Sequence, residues 1–137
     1  MVFNKIQIKE QGQYWYQTAA HDYETMKALV KVKRFADSLF FGHIILEKII
    51  KAYVVSTIKE HAPKIHDLAR LADIAKIKLT DEEIKLLNKV NEFNLRCRYP
   101  DAKLNFYKLA TKDYSQKYIK DISKLYLQLC QNLKQKK

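Results

Sequence analysis

Apolar residues recur at three- and four-residue steps along most of this chain, which is the period of an amphipathic helix. In the first such stretch, residues 13–33, Trp15, Ala19, Met26, Leu29 and Val30 make one apolar face. The second, residues 36–59, is denser. Leu39, Phe41, Ile45, Ile49, Tyr53 and their apolar neighbours cover more than one side. A helix of that kind is central in a bundle, or also forms a subunit contact. Gly42 in its middle costs about 1 kcal/mol relative to alanine. Close approach of another backbone would account for that cost. His61-Ala62-Pro63 reads as a linker.

A short third helix is expected over residues 65–75, with Leu68, Leu71, Ala72 and Ala75 inward. The fourth has the clearest start, because Thr80-Asp81-Glu82-Glu83 forms a capping box. Leu86, Val90, Phe93 and Cys97 give its stripe, and Pro100 restricts Tyr99 to extended backbone, so the helix ends near Arg98. Residues 101–110 read as a connector, with Leu104, Phe106 and Tyr107 expected to be buried. The last helix starts near Thr111 and carries Tyr118, Ile122, Leu125 and Leu129 on one side. The pattern predicts an all-α, up-and-down helical bundle of four long helices plus one short helix. Residues 1–12 form an N-terminal arm, residues 13–133 the bundle, and residues 134–137 a basic tail.

Composition narrows the class. A chain of 137 residues fits one domain. Two glycines and two prolines leave little turn chemistry for a β-sandwich or a nucleotide-binding α/β sheet. The net charge of +11 attracts nucleic acid, nucleotides or anionic surfaces. The scatter of lysines along the chain, with no cluster on one segment, fits a merely solvated surface better. Cys97 and Cys130 each lie in an apolar helical pattern, as buried thiols of a reducing cytoplasm do. The first ten residues hold no signal-peptide core, and residues 39–50 are too short and too often interrupted to span a bilayer. A cytoplasmic protein with no membrane partner is expected.

The candidate chemistry centres on arginine. Arg34, Arg70, Arg96 and Arg98 are the only four, and two of them close the fourth helix beside Asn91 and Asn94. A guanidinium is a rigid fork suited to carboxylate or phosphate, whereas lysine is a point charge. Asn91, Asn94 and Arg98 fall on one line that can face a phosphate. The plainer alternatives are a surface Glu92–Arg96 pair and an Arg98 that caps its own helix carbonyls. Asp22 interrupts the apolar face of the first helix. A buried carboxylate needs a cation, and Arg96 or Arg98 is the expected partner; a place at the edge of the stripe, in water, is the alternative. His43 and Glu47 are one turn apart, but without a third ligand they do not predict a metal site. His61 and His66 read as solvent residues. No glycine-rich phosphate loop and no nucleophile with an evident base appear, so neither catalytic residues nor a cofactor are assigned.

Four pieces of the sequence, taken in order, resemble the HEPN domains (higher eukaryotes and prokaryotes nucleotide-binding). They are Ala19-Ala20-His21-Asp22-Tyr23, the run from Phe41-Gly42-His43 through Glu47-Lys48 to Lys51-Ala52, His66-Asp67-Leu68, and Arg98-Tyr99-Pro100-Asp101. The resemblance covers residues 13–133. It implies an up-and-down bundle and a homodimer with a cleft between subunits. Many members are encoded beside, or fused to, a minimal nucleotidyltransferase, and some are toxins that it neutralises. Ribonuclease members carry an arginine, a polar residue, then a histidine four to six positions on. Here His66 is the last histidine, so no imidazole follows Arg96 or Arg98. The expectation is a non-catalytic dimer that binds nucleotide or RNA phosphate through Lys48, Arg96, Arg98 and Tyr99, oriented by Asp22, Glu47 and Asn94. The alternatives are a metal-independent ribonuclease, with Arg98 on the phosphorane and Tyr99 or His43 moving protons, and a pure protein-interaction scaffold.

Overall fold

Asn4 starts the first helix. Its side chain accepts the Gln7 N–H, and the Gln7 amide accepts the Asn4 N–H in return. This capping box satisfies two donors that a helix start leaves open. In the computed structural model, which describes residues 2–135, α1 therefore runs over Lys5–Lys31, eight residues ahead of the first clear apolar face. The expected arm over residues 1–12 is mostly helix. The pattern hid it because Ile6 is exposed and the first turns have little to pack on.

The remaining elements are α2 (Phe35–Ile58), α3 (Leu68–Ile74), α4 (Asp81–Arg98), α5 (Pro100–Leu109) and α6 (Lys112–Gln135). All regular structure among the described residues is helical. The stretch expected as a connector is α5, because Pro100 takes its first turn, where a missing N–H costs nothing. Only Phe106 of its apolar residues is buried; Leu104, at 69% exposure, and Tyr107 are on the surface. Thr80 and Glu83 form the expected capping box of α4.

Residue pairs give the topology. Phe3 donates its N–H to the Lys59 carbonyl at 2.6 Å, so the start of α1 lies against the end of α2. Cys97 near the end of α4 contacts the Ala36 carbonyl at the start of α2. Phe93 of α4 packs on Tyr114 and Tyr118 at the start of α6. Tyr23 stacks on Tyr126, with Tyr16 near Lys134, so α1 and α6 are antiparallel as well. The order is up, down, up, down for α1, α2, α4 and α6.

Helix α2 is the centre. Leu39, Ile45, Leu46, Ile49 and Val54 are fully buried, as are Phe93, Phe106 and Ile122 from the helices around it. The close approach expected at Gly42 is real, but it is a side chain: a Cβ there would lie 2.8 Å from the Ile122 Cδ1. Both glycines lie inside helices, so the chain turns with other residues. Lys33, Lys59 and Lys76, after α1, α2 and α3, all have left-handed backbone (φ 63°, 59° and 56°).

Candidate functional site

Two polar clusters occupy different levels of α2. The first lies at its middle. Lys48 donates to Asp22 across the α1–α2 contact at 2.6 Å, and both side chains are largely buried. The carboxylate in the apolar face of α1 thus has its cation, but that cation is Lys48 and not Arg96 or Arg98. One residue earlier, Glu47 collects three neighbours. Lys51, 7% exposed, donates to one of its oxygens at 3.0 Å, and His66 Nδ1 contacts the other at 2.9 Å. His43, buried one turn back, places its Nδ1 3.9 Å from the same carboxylate. The Lys51 ammonium also lies over the Trp15 ring, 5.2 Å from its centroid.

The geometry fixes the protons. His43 Nε2 is 2.9 Å from the His66 carbonyl, so this nitrogen carries the hydrogen and donates it. Burial pushes the His43 pKa below its ordinary value, which keeps the ring neutral despite the nearby Glu47. Burial alone would raise Glu47, but the hydrogen bonds from His66 and Lys51 and the Lys51 charge outweigh it and hold the carboxyl low. From α4, Asn91 accepts the Leu68 N–H and donates to Asp67, which itself caps α3. His43, Glu47 and Asn91 together fasten the segment that enters α3.

Sequence reasoning missed this role of His66. The signal was present: His43, Glu47 and Lys51 repeat every four residues in an otherwise apolar helix. Such a buried polar ladder requires outside partners.

The second cluster lies where α4 ends against the start of α2. Arg98 Nε donates to the buried Asn94 Oδ1 at 3.0 Å, which steers the guanidinium while its terminal nitrogens stay without a partner among the described residues. Arg96 lies over the Phe106 ring at 5.2 Å. Glu92, which sequence spacing offered to Arg96, pairs with Lys89 instead. Tyr99 is exposed and extended, just beyond the helix. Arg34, two residues before Ala36, belongs to the same end and pairs with Asp37 at 2.9 Å. Three of the four arginines therefore share one end of the bundle. Neighbouring Cys97 is no nucleophile, since burial pushes its thiol up to about 11.

Twelve residues of α2 separate the level of Ala36 from Lys48, about 18 Å along the axis. Within one chain, then, Lys48, Glu47 and Asp22 lie at one level of the bundle, and Asn94, Arg96, Arg98 and Tyr99 at another. The single groove expected from the sequence is divided in two.

Residues 13–133 match the family model of the HEPN domain. The chain belongs to the HEPN family. Among curated proteins and among solved structures, the comparisons give no match. The motif pieces of this HEPN domain now have positions. Asp22, Glu47, Lys48, Lys51, His66 and Asp67 build the central cluster, and Arg98-Tyr99-Pro100-Asp101 forms the α4–α5 corner. Among the described residues, no helix of the HEPN bundle is long and apolar enough to cross a membrane.

Proposed function

We propose that this HEPN protein is a homodimer that binds nucleotide or RNA phosphate at its arginine-rich end without cleaving it. The observation that carries this reading is Arg98, held by the buried Asn94 with its outer nitrogens facing solvent. A guanidinium oriented in advance can take two phosphate oxygens at once. Arg34 and Arg96 add charge at the same end. Leu95, Tyr99 and Leu104 are exposed around the corner, and a second copy covering them would set two Arg98 side chains across one cleft. The central cluster, whose cations are already paired, serves as scaffold. No histidine stands near Arg98 in sequence to shuttle protons, which favours binding over cleavage.

Family membership suggests a minimal nucleotidyltransferase as partner, in a toxin–antitoxin-like pair. If the adjacent reading frame encodes one, coexpression should yield a complex that survives gel filtration; two separate peaks would remove the partner from the proposal.

The direct test is binding of a short single-stranded RNA and of AMP, followed in a salt series with chelator present. Arg98→Ala should weaken RNA binding about tenfold, the scale of one charge-assisted phosphate contact. Arg98→Lys should recover only part. Lys85→Ala, an exposed lysine elsewhere, should change little. Equal binding by wild type and Arg98→Ala would sink the reading. RNA cleavage that disappears in Arg98→Ala would replace it with the ribonuclease.

A further inference from the structure

A groove of about 630 Å³ runs along the first half of α1, far from the arginine cluster. Its long wall is the strip from Lys5 and Ile8 through Gly12 to Tyr16 and Gln17, its floor is Ala52 and Ser56 of α2, and Leu133 and Lys134 of α6 close the other side. The outer half of that wall, residues 5–12, precedes the stretch that matches the HEPN model. The wall is nonetheless firmly built. Asn4 caps it, the Phe3 N–H ties it to Lys59, and the Phe3 ring packs edge-on against His61 at 4.6 Å. At its centre, a Cβ added to Gly12 would meet nothing within 4 Å, so the space there is open.

The lining specifies an occupant. Lys5, Lys9 and Lys134 bring positive charge, and no carboxylate lines the groove among the described residues. Ile8, Tyr16, Ala52 and Leu133 offer a continuous apolar surface between these cations. The twelve helical steps from Lys5 to Gln17 span about 18 Å. That length, with cations beside an apolar strip, matches an extended alkyl chain carrying one anionic head. We propose that it binds a single-chain anionic amphiphile, with the alkyl part on Ile8, Tyr16, Ala52 and Leu133 and the carboxylate at Lys5 and Lys9, at the outer end.

Calorimetric titration of the full chain with decanoate, dodecanoate and tetradecanoate, each below its aggregation threshold, tests this. One ligand per chain is expected, with affinity rising about fourfold per added methylene. Gly12→Leu should fill the groove and weaken binding at least tenfold. Because a helical glycine is replaced and its Cβ meets open space, this variant should melt at or above wild type, so lost binding cannot mean lost fold. Charge reversal by Lys5→Glu with Lys9→Glu should also weaken binding at least tenfold, and decanol should bind more weakly than decanoate. Arg98→Ala should leave amphiphile binding unchanged, which separates this site from the phosphate site. Unchanged binding in Gly12→Leu, equal binding of decanol, or AMP binding that is lost in Gly12→Leu while no carboxylate binds the wild type would each overturn the proposal.

Discussion

Asp22 brings a charge into the apolar face of α1, and Lys48 meets it from α2 at 2.6 Å. Removing either partner strands the other in a mostly buried position. Asp22→Ala should lower unfolding free energy by about 1–3 kcal/mol, while Asp22→Ala with Lys48→Met should cost less than the sum of the two single changes. Additive losses in urea denaturation would show that the pair is not coupled. The need for a cation was legible in the sequence, because a carboxylate in an apolar stripe has few other solutions. Its identity was not, because register between two helices is set by packing and not by local pattern. The same limit hid His66, whose partner lies 19 residues away. Glu47 and His43 also carry a pH signature. Both have folded pKa values below their ordinary ones, so each stabilises fully above the ordinary value and less as pH falls through the lowered one. Stability should start to fall as pH drops below about 6.5, from His43, and fall further below about 4.5, from Glu47. The stability gap between wild type and Glu47→Gln should shrink in that lower window; a gap that stays constant from above that window to well below it would remove Glu47 from the account.

At the scale of the helix, Gly42 decides how closely α6 approaches α2. Gly42→Ala would gain about 1 kcal/mol of helix propensity. It would also drive a Cβ against the fully buried Ile122, and overpacking costs about 1–3 kcal/mol. Crowding should win, so the single variant should melt lower. Ile122→Val removes the clashing Cδ1, and the two changes together should be more stable than Gly42→Ala alone. If that rescue fails, the fit between these helices is not set here. Helices α2 and α4 were readable from their apolar period and from Thr80 and Glu83. α5 was not, because Phe106 is its only buried residue and the period rule needs a face. The early start of α1 rests on Asn4 and Gln7, a polar capping pair that an apolar count passes over.

For the whole molecule, charge and assembly go together. An excess of 11 positive charges attracts polyanions broadly, and association that rests on it weakens steeply with salt. Specific binding at Arg98 should keep a difference between wild type and Arg98→Ala at high salt, whereas diffuse attraction should not. If the α4–α5 corner is the dimer face, Leu95→Asp with Leu104→Asp should halve the mass in sedimentation and leave helix content unchanged; a persistent dimer would place the interface elsewhere. The bundle was legible at this scale because four amphipathic segments with short connections have few other ways to pack. The division of the polar residues between two levels was not, because it follows from how far α4 reaches along α2. Finally, Lys33, Lys59 and Lys76 occupy a backbone basin that a Cβ disfavours. Exchanging all three for glycine would relax each helix exit by about 0.5–1 kcal/mol while cutting the net charge from +11 to +8. Thermal endurance and non-specific stickiness toward polyanions would then move in opposite directions, which makes these corners handles for tuning one without sacrificing the other.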